Sequence, residues 1–167
     1  MWDLVIIILV ALQRLYEMKL AGQNTKQLLS QGAKEYFPKH YILFVILHST
    51  WLLVLFFYSL TYNLPIYIIP LIIYLIIQFL RFWTLKSLGS YWTTKIISLP
   101  GAPLVKSGPY KYIKHPNYII AFLEILILPL VFGLWKISII FSIIKLFLLI
   151  YRIKKEDSVL IKRRDLV

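Results

Sequence analysis

Two polar clusters abut long apolar runs in this 167-residue chain, and their residue types are those that hold a charged ligand beside a greasy one. The first, Gly108-Pro109-Tyr110-Lys111-Tyr112-Ile113-Lys114-His115-Pro116-Asn117-Tyr118, runs directly into an apolar stretch. The second, Arg152-Ile153-Lys154-Lys155-Glu156-Asp157, follows directly on another. A water-facing loop at the mouth of a membrane helix is where a soluble cofactor and a lipid-dissolved substrate can meet. Arg152 and Glu156 are four residues apart, which sets them on one helix face. The guanidinium stays charged and donates in a planar fork, so it can orient an anion. An ordinary surface ion pair has the same spacing and is worth only tenths of a kcal/mol. The segment from Leu80 to Gly108 is interrupted by Gly89, Pro100, Gly101 and Pro103, which denies it a long helix. It reads as a structured loop in which Gly108 lets the backbone approach a ligand, or as an interfacial linker whose Trp and Tyr anchor at lipid headgroups.

The elements that must position these clusters are membrane helices. Hydrophobic residues make up 60% of the chain and charged ones 16%, far from the balance of a soluble domain. Apolar runs near the length that crosses a hydrocarbon core of about 30 Å fall at Trp2–Leu20, Tyr41–Tyr62, Leu64–Leu85, Asn117–Leu134 and Lys136–Tyr151. The first carries Gln13, Arg14 and Glu17 in its second half and lacks a small-residue cleavage site, so it does not read as a signal peptide. The last is expected to continue into the cytosol as a helix to Leu160. The expected fold class is therefore an all-α integral-membrane bundle of about five spans, ending in a helical hairpin with a cytosolic loop and tail. It forms a single domain over residues 1–167.

Charge orients it. Of 19 Lys and Arg, 15 lie in three segments: Lys19 to Lys39, Lys86 to Lys114, and Arg152 to Arg164. The turn at Tyr62–Pro65 carries none. By the positive-inside rule those three segments are cytoplasmic and the N-terminus lies outside, in what is expected to be a plasma membrane. A net charge of +12 raises the question of nucleic acid, but the basic residues sort by membrane side and form no stripe interleaved with exposed aromatics. No nucleic-acid partner is expected, and the partners are membrane lipids and a lipophilic small molecule. There is no cysteine, which excludes disulfides and thiolate catalysis. The histidines, at 40, 48 and 115, are too scattered for a zinc spacing, and no metal is expected. One further expectation comes from spacing: if the turn centres between Leu134 and Trp135, Glu124 and Lys145 both sit about 16 Å from it. Opposite charges at one depth are expected to pair, as a register-fixing ion pair or as part of a substrate site.

With these residues in view, the chain resembles the isoprenylcysteine carboxyl methyltransferases and related small membrane methyltransferases. The carrying pattern is Gly108 with Tyr110, then Lys114-His115-Pro116-Asn117-Tyr118, a helical hairpin, and Arg152 followed by Glu156-Asp157. It covers about Leu80 to Leu160. Lys114 stands where the family usually has Arg, Asp157 where it has Glu, and Ile120 where Gly often follows Tyr118. The first third, through Gln13-Arg14-Leu15-Tyr16-Glu17, Asn24, Gly32-Ala33-Lys34-Glu35 and His40-Tyr41, is similar to a bacterial branch associated with type III polyketide synthases and alkylpyrone O-methylation. The resemblance implies methyl transfer from S-adenosylmethionine to an oxygen of a lipophilic acceptor. It implies a cofactor site at Val105, Gly108, Tyr110, His115, Pro116, Asn117, Tyr118, Glu156 and Asp157, with Arg152 and Glu156 as the catalytic pair. Substrate contacts are expected from Arg152, Trp92, His40 and His48. Two other classes share some of these features: an amine or phospholipid methyltransferase, and a membrane scaffold without catalysis.

Overall fold

A computed structural model describes residues 2–164, with side chains described as far as Ile161. The basic side chains of Lys162, Arg163 and Arg164 and the terminal Val167 lie outside the described residues. Five α-helices follow one another: α1 (Trp2–Ser30), α2 (His40–Thr61), α3 (Ile68–Leu88), α4 (Pro116–Val131) and α5 (Trp135–Arg164). Two of them, α2 and α3, are long and apolar enough to cross a membrane, and α4 is a shorter apolar helix. Their outward faces carry Ile46, Leu53, Phe57, Ile69, Ile76 and Phe79, all exposed, a surface that lipid and not water must cover. Inside, Ile7, Val10, Leu47, Trp51, Leu55, Ile125, Leu128, Val131 and Phe132 form one buried cluster. Against lipid, close packing of such side chains, more than their removal from water, holds helices together.

Four helix ends differ from the sequence expectation, two of them for a local reason. α1 runs on past Leu20 to Ser30, so the polar second half of the first run is one continuous helix. α3 begins at Ile68 and not Leu64, because a residue before proline, here Leu64 before Pro65, is pushed to extended backbone. The extended Tyr67 then donates its N–H to the Val131 carbonyl at 2.8 Å. α4 stops at Val131 and not Leu134: Leu134 N–H bonds the Pro129 carbonyl and Gly133 N–H bonds Leu130, with Gly133 at φ +71°. That is the six-to-one and five-to-two pairing of a left-handed helix stop, which favours glycine. A Cβ there would also meet the Tyr67 ring at 2.9 Å. α5 continues past Leu160 to Arg164.

Between α3 and α4 the chain makes two short 3-10 turns, Gly89–Tyr91 and Gly108–Lys111, and a strand β2 (Ile96–Ser98). β2 pairs antiparallel with β1 (Lys34–Tyr36), in register Lys34 with Ser98 and Tyr36 with Ile96. The Lys95 ammonium adds an ion pair to Glu35 at 2.9 Å. Sequence reading expected a structured loop but missed this ribbon, because three residues per strand is too short to show a period of two.

The hairpin expectation fails in one respect: Glu124 and Lys145 face different neighbours. Glu124 accepts from Arg14 at 2.6 Å, from Arg81 at 2.8 Å and from Gln78 at 2.8 Å. Arg81 also grips Glu17 through Nε and Nη2, both at 2.6 Å, and Arg14 bonds Glu17 at 2.7 Å. Two guanidiniums and two carboxylates, from α1, α3 and α4, thus close a buried neutral network. Equal depth on a hairpin says nothing about rotation around each axis, and α3 and α1 offered Glu124 the nearer cations. Lys145 instead meets His48 of α2, with Nζ 3.3 Å from Nε2.

Candidate active site

α5 leaves the bundle beside the loop that precedes α4, and Tyr118 links the two. Arg152 Nε donates to the Tyr118 hydroxyl at 2.8 Å, and that hydroxyl donates to the Glu156 carboxylate. Arg152 and Glu156 share a helix face as expected, joined through a phenol. A second Arg152 donor, Nη2, reaches the Thr94 carbonyl at 2.8 Å. The guanidinium carbon lies 5.1 Å from the Phe44 ring centroid and 5.3 Å from that of Tyr118. Flat charge on aromatic faces with two of five donors committed is a rigid setting for an arginine that is only 6% exposed.

The His-Pro loop is fastened to α5 by Asp157. Its carboxylate accepts from Lys114 Nζ at 2.6 Å and lies 3.1 Å from His115 Nε2. A carboxylate in this role only accepts, so Nε2 carries the proton and is not open as a base. The imidazole stacks on Tyr118, centroids 5.4 Å apart and planes at 14°. Pro116 opens α4 at its first position, where a missing N–H costs nothing. Burial and the Glu156 carboxylate push the Tyr110 hydroxyl above its ordinary pKa, so it stays a neutral donor.

Two cavities meet at this junction. One, of about 170 Å³, is lined by Val105, Tyr110, His115, Asn117, Tyr118 and Glu156, together with Tyr91, Trp92 and Arg152. The other, of about 320 Å³, lies among α1, α2 and α5 and is bounded by Leu15, Met18, Val45, Leu52 and Leu149, with His48, Lys145 and Arg152 also on its wall. Trp92, Thr93, Asn117, Tyr118 and Arg152 line both. Buried Asn117 Oδ1 and Trp92 Nε1 have no hydrogen-bond partner among the described residues, as expected of groups that a ligand satisfies.

Four expected site residues stand off these walls. Gly108, at φ +55°, turns toward α3, where a Cβ would collide with the Ser87 side chain and lie 3.2 Å from Trp83 Nε1. Its glycine requirement comes from docking the loop on α3 and not from approach to a ligand. Pro116 starts a helix and Asp157 ties the loop. His40 is buried in a ring cluster with Phe44 and Tyr151, at 5.0 and 5.1 Å, and borders neither cavity. Sequence reading named Asn24 only within the resemblance and gave it no role; its buried amide donates to the carbonyls of Trp92 at 2.8 Å and Gly89 at 3.2 Å, so that α1 holds the loop carrying Trp92. An Asn in the polar second half of α1 was the available signal. It also overlooked Thr94, whose contribution is a backbone carbonyl and so leaves no trace in residue type.

Comparison with known proteins decides the family. Residues 68–162 match the model of the isoprenylcysteine carboxyl methyltransferase (ICMT) family, more than half of the chain, including Trp92, the His-Pro loop, Tyr118, Arg152 and Glu156. The chain belongs to that family. That is a family of methyltransferases that use S-adenosylmethionine, and membership supports a membrane methyltransferase here. Over its whole length it is similar to the uncharacterized Bacillus subtilis protein YpbQ, 40% identical over 95% of both chains. An uncharacterized Haemophilus influenzae protein is 28% identical over 87% of both. The smaller cavity fits such a donor: the Glu156 carboxylate can face an ammonium, aromatic faces at Tyr91, Trp92, Tyr110 and Tyr118 can face a sulfonium, and Asn117 Oδ1 and Trp92 Nε1 await partners.

Proposed function

We propose that this protein methylates an oxygen, carboxylate or acidic hydroxyl, of a lipophilic acceptor at the cytoplasmic face of a bacterial membrane. The observation that carries the reading is the shared wall: a polar cavity at the loop and a larger apolar one among the helices, with Arg152, Tyr118, Asn117, Thr93 and Trp92 common to both. Two reactants from different phases would thereby be held in contact, and alignment of that sort is worth up to about 7–11 kcal/mol of barrier. S-adenosylmethionine bound in the polar cavity supplies an electrophilic methyl group. Val105, Tyr110, His115, Asn117, Tyr118 and Glu156 hold it there, on a loop kept in shape by Gly108, Pro116 and Asp157. Arg152 steadies the acceptor oxygen, and no covalent protein nucleophile is needed. Similarity to the polyketide-associated branch favours long-chain alkylpyrones among the acceptors, with prenylcysteine-like acids as the other candidate class.

The test is binding of radiolabelled S-adenosylmethionine to the purified protein in detergent, then incubation with prenylcysteines, alkylpyrones and phospholipids and mass spectrometry for a methyl gain. No cofactor binding would leave a non-catalytic membrane scaffold, and gain only on phospholipid amines would move the reaction to nitrogen. Glu156→Gln is expected to weaken cofactor binding and turnover together, by about tenfold or more, since the loss of a charge-assisted contact is worth about 1.5–3 kcal/mol. Unchanged cofactor affinity in that variant would remove Glu156 from the site.

We further propose five spans with the N-terminus outside. Reporters fused after Leu85 and after Val167 are expected to read cytoplasm, and those at Asn63 and Trp135 the exterior. A cytoplasmic signal at Asn63 would refute this arrangement.

A further inference from the structure

The larger cavity carries a charge imbalance that the proposed reaction has not yet used. Arg14, Glu17 and Arg81 reach its wall, but together with Glu124 they form the closed neutral network. The other charged side chains on the wall are Arg152 and Lys145. Among the described residues neither has a carboxylate within ion-pair distance. Arg152 reaches Glu156 only through the Tyr118 hydroxyl. Lys145 is 2% exposed, and among the described residues its hydrogen-bond partner is His48, with Nζ 3.3 Å from Nε2. His48 Nδ1 lies 2.7 Å from the Phe44 carbonyl, which only accepts, so Nδ1 bears the proton and Nε2 offers its lone pair to the ammonium. Lys145 Nζ and the Arg152 guanidinium carbon lie 4.8 and 5.1 Å from the same Phe44 ring. One bond to imidazole leaves two ammonium N–H groups for a ligand. Two cations in excess inside a membrane-embedded apolar chamber are costly unless an anion joins them.

We infer that Lys145, held by His48, is a second cationic contact of the acceptor site and selects acceptors by negative charge. It lies seven residues from Arg152 on α5, two helical turns nearer the Leu134 turn. The acceptor's acidic head lies in the field of both cations over Phe44, and its chain runs along the Leu15, Val45, Leu52 and Leu149 wall. An acceptor that arrives as an oxyanion needs no base: its oxygen forms the new bond to the methyl carbon, and the sulfur keeps the electron pair of the broken bond. The product is uncharged, loses its attraction to Lys145 and leaves. An amine head, cationic itself, is turned away.

This inference rests on the methyltransferase reading for the identity of the second reactant, but its test does not require turnover. Radiolabelled palmitate serves as a long-chain anion, with methyl palmitate and hexadecylamine as unlabelled competitors, on the full-length protein in detergent. Palmitate is expected to bind, and both competitors to displace it about tenfold or more less well than unlabelled palmitate. Lys145→Met, close in volume, is expected to lose about tenfold or more in palmitate affinity, and Lys145→Arg to retain most of it. S-adenosylmethionine binding is measured in parallel and is expected to be unchanged in both variants. Equal palmitate affinity in wild type and Lys145→Met would overturn the proposal. Should Lys145→Met not fold, equal displacement by methyl palmitate or hexadecylamine on the wild type would overturn it as well. Absent S-adenosylmethionine binding with charge-selective palmitate binding intact would instead count against the methyltransferase reading alone.

Discussion

Arg152→Lys is expected to lower turnover by about a hundredfold or more and to weaken cofactor binding far less. The wild-type guanidinium donates to the Tyr118 hydroxyl and the Thr94 carbonyl at once and lies against the rings of Phe44 and Tyr118. A lysine keeps the charge, so attraction of an anionic acceptor survives in part. Its single ammonium cannot hold the phenol and the carbonyl together in one plane. Tyr118 and the Thr94 segment, which face both cavities or border them, then lose their common anchor, and a displacement near 1 Å suffices for the stated loss. Steady-state kinetics with a competent acceptor, alongside cofactor binding, check this. Wild-type kcat in a folded Arg152→Lys protein would show that the planar fork does not position the reaction.

The largest stability effect is expected at Arg81. Its three donors to Glu17 and Glu124 join α3 to α1 and α4, and all three residues are buried. Arg81→Met leaves two carboxylates with Arg14 as the one remaining cation of the network, an uncompensated buried charge that costs about 3–5 kcal/mol. Arg81→Met combined with Glu124→Gln restores neutrality and is expected to recover a substantial part of that loss, so the two substitutions are strongly non-additive. Thermal unfolding in detergent measures the cycle. Additive effects would show that Arg81 and Glu124 do not act as one unit.

The same network marks what could be read from the chain and what could not. Gln13, Arg14 and Glu17 looked like an intrusion into the first apolar run, and only the bundle shows that Arg14 pairs with Glu124, Glu17 with Arg81, and Gln13 bonds Gln78 beside them. Spacing along a hairpin placed Glu124 and Lys145 at one level. Which way each side chain turned depended on the third and fourth helices packed beside them, and no local pattern contains that. The loop shows the same division. His115, Tyr118, Arg152 and Glu156 were legible as a group because their chemistry is unusual next to apolar runs, and the structure brings them around one cavity. Gly108 was legible as a required glycine but for the wrong neighbour, Ser87 being 21 positions earlier.

By itself the sequence determined the solvent, the helices and the chemistry at hand. Those depend on composition and on periods of a few residues, and the chain states them directly: 60% hydrophobic content, unbroken apolar runs, a His-Pro loop, and an Arg four residues before an acid. Tertiary structure alone decided that Asn24 holds the Trp92 loop, that Tyr118 joins Arg152 to Glu156, and that Lys145 meets His48 on a cavity wall. Each of these pairs residues from different helices or loops. Their meeting is set by how five helices rotate to bury two carboxylates, two guanidiniums and a lysine away from lipid, a condition on the whole bundle that no single segment can satisfy.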